Sequence, residues 1–253
     1  MNPASRQNAL YTRRDLVRLF ATAAATLWVG CKSRRPHVTI SKTIPAGPQA
    51  FAAEILSCIV RPAQTEGPYF VDSRLNRADI RSDPADGSVR PGSPLRLVFH
   101  VSRADGRTCT PLAGAIVDVW HCDAAGVYSD VRDPSFDTRG KKFLRGYQVT
   151  SRDGVAEFAT IYPGWYHGRA VHVHFKIRTD AGAAGRDFTS QLYFDEAITD
   201  RVHSESPYKQ HGHRTMRNED DFIYRQGGKQ LMAVVTRDST GYRGDFSIGL
   251  QLS

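Results

Sequence analysis

Two histidines in one short stretch have the residue type and the spacing to share a metal ion. From Ala170 to Ile177 the chain reads AVHVHFKI, so His172 and His174 alternate with apolar residues. Residues two apart in a β-strand lie on the same face, so the apolar set can pack into a core while both imidazoles stand on the other face. Imidazole is a frequent ligand of transition metals. The stretch therefore predicts a strand that carries part of a metal site.

The residues before this strand suit chemistry at a metal. Pro163-Gly164 predicts a turn, Tyr166 follows it, and Arg169 is the last charge before the histidine pair. A fixed cation in a dry site can stabilise developing negative charge. A His-x-His strand preceded by a turn with Tyr and Arg is similar to the core of the intradiol ring-cleavage dioxygenases, which are non-haem ferric enzymes that open catechols.

Other stretches resemble the same family and occur in the family's order. The first is TEGPY, which ends at Tyr69. The second is the W-x-x-x-A-A-G-x-Y segment, which ends at Tyr128. Gln191 matches a family position that points into the site. The resemblance covers about residues 58–195, and several motifs in order are far more specific than any one of them.

The resemblance implies a cofactor and a role for each matched residue. The implied Fe(3+) ligands are Tyr128, Tyr166, His172 and His174. Tyr166 would leave the metal when a catechol binds and would accept a substrate proton. Arg169 would stabilise negative charge, Gln191 would supply a hydrogen bond, and Tyr69 would line the approach. The implied reaction uses dioxygen to cleave a catechol-type ring between its hydroxyl-bearing carbons, giving a cis,cis-muconate-type product.

One departure from the family concerns the substrate. Between Tyr166 and His172 this chain has only HGRAV, whereas the well-studied enzymes have a longer loop there. A shorter loop should open the pocket or change its wall. The sequence therefore leaves open which catechol is bound, and whether the iron site has kept its activity.

Three other interpretations compete with the iron site. His172 and His174 could simply form the polar outer face of an edge strand. PLAGAIVDV and SRDGVAEFATIYPGWY also resemble transthyretin-like sandwich modules of the cell envelope, which bind without catalysis and need neither Tyr128 nor the histidine pair. A metal could instead be held by His211 and His213 with His203, although Gly212 between the first two predicts a mobile loop.

The pattern of strands predicts an all-β fold, an antiparallel β-sandwich with long surface loops. The predicted strands are 95–101, 116–120, 143–150, 155–160, 170–177, 191–194, 230–236 and 246–252. Asp153-Gly154 predicts a hairpin between the third and fourth of them. Residues 195–229 are charged and irregular, which predicts a long excursion over the surface. No internal repeat is present.

The first part of the chain resembles an export leader. Residues 12–17 read TRRDLV, similar to the twin-arginine signal, and an apolar run follows up to Gly30. Cys31 ends a segment that resembles a lipobox, so lipidation with membrane attachment and ordinary cleavage nearby both remain open. We expect residues 1–31 to be the signal peptide, 32–50 a linker and 51–253 a single domain, exported to the periplasm or cell envelope.

Charge and cysteine content exclude some classes of protein. The chain has 253 residues and a formal net charge of +8, of which residues 1–30 contribute +3. The remaining +5 shows no basic stripe interleaved with aromatics, which argues against nucleic-acid binding. It could favour anionic aromatic substrates, although solubility explains it equally well. The four cysteines form no CxxC pair. If Cys31 is lipidated, the other three cysteines allow at most one internal disulfide, and the sequence does not say which two form it. Whether the chain forms a homo-oligomer also stays open.

Overall fold

The computed structural model describes residues 59–105, 108–179 and 186–252, which form strands and one short α-helix. The strands are β1 (Pro94–Ala104), β2 (Cys109–Pro111), β3 (Ile116–Trp120), β4 (Arg132–Asp133), β5 (Phe136–Asp137), β6 (Arg145–Val149), β7 (Val155–Ile161), β8 (His172–Thr179), β9 (Arg186–Tyr193), β10 (Val234–Arg237) and β11 (Tyr242–Leu250). The helix α1 spans Glu196–His203. The all-β prediction is confirmed. The predictions for the leader, the linker and Cys31 concern residues outside these ranges.

The strands form two main sheets. One has the order β10-β11-β1-β2 with β7 also paired to β1, and the other has the order β6-β3-β8-β9. β4 and β5 form a separate two-stranded ribbon. β1 and β11 pair in parallel, so the prediction of a purely antiparallel sheet was wrong at this pair. A parallel pair needs a long crossover connection, and here most of the chain lies between the two strands.

The alternating residues of β8 explain how the core forms. Val173, Phe175 and Ile177 are fully buried in one cluster with residues of both sheets. The Phe175 ring lies 5.4 Å from the ring of Phe99 on β1 and 5.4 Å from that of Phe246 on β11. The apolar faces of the two sheets therefore pack against each other, and the opposite face of β8 is left for the histidines.

The predicted hairpin at Asp153-Gly154 is wrong in its pairing. The turn exists, with hydrogen bonds from Gly154 N to Ser151 O and from Ser151 N to Val155 O. The strands that it connects lie in different sheets, since β6 pairs with β3 and β7 pairs with β1. A turn signal predicts that the chain changes direction, but it does not determine which neighbour each strand pairs with.

Residues 195–229 are not a loose surface excursion. The Asp195 carboxylate caps α1 by accepting hydrogen bonds from the N–H groups of Ala197 and Ile198. Tyr208 is fully buried, and its hydroxyl donates to the backbone oxygen of Tyr162 at 2.6 Å. Three 3₁₀ turns follow α1, at Tyr208–His211, Asn218–Asp220 and Gly228–Leu231. No described helix has the length and apolar composition to cross a membrane.

Candidate metal centre

β8 places both histidines in the protein interior. His172 and His174 are 2% and 1% exposed, and β8 lies between β3 and β9 rather than at an edge of its sheet. The His174 ring stacks on Trp120 of β3, with centroids 5.1 Å apart and an interplanar angle of 7°. The interpretation of these residues as the polar outer face of an edge strand is therefore wrong.

Three side-chain atoms converge on the Nε2 atom of His172. The Nε2 atom of His174 lies 3.0 Å away, the hydroxyl oxygen of Tyr166 3.3 Å away and that of Tyr128 3.5 Å away. Tyr128 lies in the segment after β3, and Tyr166 in the loop between β7 and β8. The fold thus brings together the four residues predicted as iron ligands, from three separate parts of the chain. Their role as ligands remains a prediction.

A backbone hydrogen bond fixes the tautomer of His172. His172 Nδ1 lies 2.6 Å from the backbone oxygen of Ala170. Because a carbonyl only accepts, Nδ1 carries the proton and Nε2 presents a lone pair. Burial lowers the pKa of both histidines well below its ordinary value. Burial also raises the pKa of Tyr128 and Tyr166, so without a cation the four groups are neutral.

These residues fit a transition-metal ion. Nitrogen and oxygen ligands lie about 2.1 Å from such an ion, so adjacent donors lie about 3 Å apart. The observed spacings of 3.0–3.5 Å around His172 Nε2 agree with this. A cation here would lower the pKa of both phenols, since a bound cation inverts the pKa shifts expected from burial. Two phenolates would suit an ion of high positive charge.

The TEGPY segment packs against this centre. Gly67 has a φ of 72°, and a Cβ atom there would lie 3.1 Å from His174 Cε1. A positive φ favours glycine, so the residue permits both the turn and the close approach. Beyond it, the Tyr69 ring stacks on Tyr128, with centroids 4.4 Å apart. The segment therefore packs against His174 and Tyr128, two of the predicted ligands, as expected if Tyr69 lines the approach.

Arg169 is held by two buried partners. Its Nε donates to Asp221 Oδ2 at 2.9 Å, and its Nη2 donates to the side-chain oxygen of Gln191. Gln191 Nε2 in turn donates to the backbone oxygen of Thr65 at 2.9 Å. Burial is the main cause that lowers the pKa of His172, and the charge of Arg169 is the next. Arg169 thus acts on the centre, and Asp221, which sequence reasoning missed, holds it there.

A cleft of about 550 Å³ opens beside Tyr69 and Tyr166. Its described lining residues are Tyr69, Ala125, Gly126, Val127, Asp133, Ser135, Phe136, Trp165, Tyr166, His167 and His211. The Tyr69 hydroxyl donates to Asp133 Oδ2 at 2.7 Å. Burial, and next this contact, raise the pKa of Tyr69 to about 12. The cleft leads from solvent to Tyr166, as a substrate approach requires.

The alternative histidine site finds no support. Among the described residues, no group of three or more His, Cys, Asp or Glu is placed to hold a metal. His203 Nε2 bonds to the backbone oxygen of Pro163, and His211 Nε2 to that of Trp165. These imidazoles connect the end of α1 and the following 3₁₀ turn to the segment between β7 and β8.

Comparison with known proteins identifies the family. A family model described as Dioxygenase matches residues 65–219. An intradiol ring-cleavage dioxygenase from Tetranychus urticae superimposes with a TM-score of 0.67 at 30% identity, covering 77% of this chain and 96% of that one. The chain belongs to the intradiol ring-cleavage dioxygenase family. The predicted resemblance is thereby confirmed, and the transthyretin-like module is excluded as the family of residues 65–219.

Curated members of this dioxygenase family are similar over a shorter part of their length. Catechol 1,2-dioxygenase 1 of Acinetobacter lwoffii is 31% identical over 157 residues, which cover 52% of this chain and 45% of that protein. A chlorocatechol 1,2-dioxygenase from a Pseudomonas species is 32% identical over 150 residues, covering 53% and 55%. The chain therefore spans about half the length of the curated relatives that it matches.

Proposed function

We propose that this chain is a non-haem Fe(III) intradiol dioxygenase that cleaves a catechol-type ring between the two hydroxyl-bearing carbons. Both atoms of O2 would enter a cis,cis-muconate-type product. The observation that supports the proposal most directly is the convergence of His174, Tyr166 and Tyr128 within 3.5 Å of His172 Nε2. Family membership and the packing of two sheets, as in a β-sandwich, agree with it.

Tyr128, Tyr166, His172 and His174 would hold the ion. When bound, Fe(III) would accept both catechol oxygens and make the ring reactive toward O2. Tyr166 differs from Tyr128 in position, because Tyr166 lines the cleft whereas Tyr128 is fully buried. Tyr166 can therefore meet an incoming hydroxyl group and accept its proton at Oη, while Tyr128 stays in place.

Arg169 would stabilise negative charge on the substrate. Its Nε is fixed by Asp221 and its Nη2 by Gln191, so the cation is oriented before the substrate arrives. A preorganised charge in a site that excludes water stabilises a charged transition state more than mobile water does. Gln191 would orient Arg169 and connect it to Thr65 of the TEGPY segment.

The cleft would take the aromatic ring. Tyr69, Phe136, Trp165 and Tyr166 give it aromatic walls, which suit a flat apolar ring with a few polar groups. Two of the relatives are named for catechol and chlorocatechol. We infer a small catechol as the substrate class, with O2 as co-substrate.

We further propose that the protein is exported to the periplasm or cell envelope, on the twin-arginine-like residues 12–17. Cys109 takes part in a disulfide whereas Cys122 is a free, buried thiol, and disulfides persist in oxidising compartments. Replacing Arg13 and Arg14 by Lys should keep the protein in the cytoplasm, which cell fractionation measures. Export of this variant at the normal level would contradict the proposal. Labelling with a fatty acid would test lipidation of Cys31.

The first experiment is the visible spectrum and iron content of the purified protein. Phenolate ligands on ferric iron give a charge-transfer absorption, so we expect a coloured protein with about one iron per chain. Cleavage of catechol with consumption of O2 should follow. A colourless protein that stays free of metal after ferrous iron is added in air would overturn the proposed function.

A further inference from the structure

The described lining of the cleft beside Tyr166 contains an acidic side chain but no basic Lys or Arg. Asp133 carries the one acidic side chain among these described residues. Two imidazoles, of His167 and His211, and one hydroxyl, of Ser135, supply the rest of the polar lining outside the tyrosines. The positive charge of the chain as a whole therefore does not extend to this wall.

The local structure holds the Asp133 carboxylate at the cleft. Asp133 ends β4, and its Oδ1 accepts a hydrogen bond from the Ser135 backbone N–H at 2.9 Å. Its Oδ2 accepts from the Tyr69 hydroxyl at 2.7 Å. These two donors lower the pKa of Asp133, so it is ionised at neutral pH. Each carboxylate oxygen can accept more than one hydrogen bond, so capacity remains for a ligand.

Among the described residues, Arg139 beside β5 and Arg169 at the metal centre have partners other than Asp133. Arg139 pairs with Asp137 on the same ribbon, at 2.6 Å. Arg169 pairs with Asp221 at 2.9 Å. Arg132 directly precedes Asp133 in β4 and is exposed, and successive strand residues point to opposite faces. The carboxylate thus presents its charge to the cleft.

We propose that Asp133 makes the cleft select catechols without an acidic ring substituent, and that it favours substituents that donate a hydrogen bond. This inference rests on the proposed function and adds the substrate class to it. A carboxylated catechol would bring a second negative charge into the cleft and would be repelled. A hydroxyl substituent could instead donate to the free lone pairs of Asp133. The same carboxylate holds the Tyr69 ring against Tyr128 through its hydrogen bond. It therefore positions one residue of the cleft wall in addition to contacting the substrate.

The test compares two ligands on the iron-loaded full chain. Dissociation constants for catechol and for 3,4-dihydroxybenzoate are measured without O2, through quenching of tryptophan fluorescence, since Trp165 lines the cleft. The ratio of kcat/KM for the two compounds is then measured in air. Asp133→Asn should improve the relative binding of the dihydroxybenzoate about fivefold, because a like charge is removed at partly screened range. The gain should shrink at high salt.

Two further variants separate charge from structure. Asp137→Asn removes a carboxylate from the same ribbon that lies outside the cleft lining and pairs with Arg139, so it should leave the ligand ratio unchanged. Tyr69→Phe removes the hydrogen bond to Asp133 but leaves the negative charge of Asp133. Discrimination against the dihydroxybenzoate should therefore persist.

The outcomes distinguish this inference from the proposed function. If catechol is bound and cleaved but Asp133→Asn leaves the ratio unchanged, or if Asp137→Asn changes it equally, the role of Asp133 is wrong and the dioxygenase proposal stands. If the protein takes up no iron and binds neither ligand, the proposed function is overturned and the inference with it.

Discussion

Arg169 Nε lies 2.9 Å from Asp221 Oδ2, although 52 positions separate the two residues in the chain. The Asp221 side chain is 1% exposed and that of Arg169 15%. The same Asp221 oxygen accepts a hydrogen bond from the Ala170 backbone N–H, also at 2.9 Å. One carboxylate thereby fixes both the cation of the site and the backbone that enters β8.

Asp221→Asn should slow turnover while keeping the fold. The amide oxygen can still accept from the Ala170 N–H, but the Ile223 N–H loses its acceptor on Asp221 Oδ1, and Arg169 loses its counter-charge and its fixed position. Misplacement of a group by about 1 Å can cost about 100-fold in rate, so we expect kcat to fall 10- to 100-fold with little loss of iron. Steady-state kinetics and iron analysis measure this.

The control for Asp221→Asn is Asp118→Asn. This variant removes a carboxylate on β3 that pairs with Arg178 on β8 at 2.8 Å. It should affect stability rather than kcat. In an Arg169→Gln background, Asp221→Asn should have little further effect on kcat, because both changes remove one interaction. Fully additive effects would show that Asp221 does not act through Arg169.

Tyr166→Phe should weaken the visible absorption of the iron-loaded protein and slow turnover. The substitution removes one phenolic oxygen from the group within 3.5 Å of His172 Nε2. Proton acceptance from substrate at Tyr166 Oη is lost as well. Spectroscopy and catechol turnover measure the two effects. Tyr128→Phe serves as a comparison. Because Tyr128 is buried and outside the cleft lining, this variant should change the spectrum while Tyr166 stays in the cleft. An unchanged spectrum in Tyr166→Phe would exclude this residue as a ligand.

His172→Ala and His174→Ala should each lose iron. Each removes an imidazole nitrogen from a pair 3.0 Å apart, and the buried phenols alone offer too few donors. Iron content after reconstitution is the measurement, with circular dichroism to verify folding. The matched control is the double variant His211→Ala/His213→Ala, which removes the other His-x-His pair and should keep full iron. Retention of iron in both β8 variants would contradict the assignment, and its loss in the control would favour the alternative histidine site.

Local patterns in the sequence were sufficient to predict much of the fold. The alternation in β8 predicts both its buried face and the side on which His172 and His174 stand, because a strand has a side-chain period of two. Pairing between distant strands leaves no such local trace. This explains why the parallel β1–β11 pair, and the separation of β6 from β7, could not be predicted.

The missed residues of the site have a similar explanation. Asp221 lies in a charged segment without periodicity, where one buried carboxylate looks like its exposed neighbours until the fold brings it to Arg169. A signal for α1 was nevertheless present. Asp195 followed by Glu196 is a typical helix start, and recognising it would have predicted order within 195–229. Asp133 gave no signal at all, since its contact with Tyr69 spans 64 positions.

Buried neutral histidines should make the iron-free protein less stable in mild acid. His121 is fully enclosed, with Nδ1 at 2.8 Å from the Cys122 backbone oxygen and Nε2 at 2.7 Å from Thr160 Oγ1. Burial lowers its pKa to about 4, whereas an unfolded histidine titrates near pH ~6.5.

Between pH ~6.5 and ~4 the unfolded chain therefore binds more protons at His121, so the contribution of His121 to the free energy of unfolding falls as the pH is lowered through this range and is constant above it. We expect a slope approaching about 1.4 kcal/mol per pH unit from His121. His203, whose pKa burial lowers to about 4, adds to it in the same direction. Urea unfolding from pH 4.5 to 8 measures the slope, and His121→Gln should reduce it. A flat profile below pH 6.5 would mean that His121 is protonated in the folded protein.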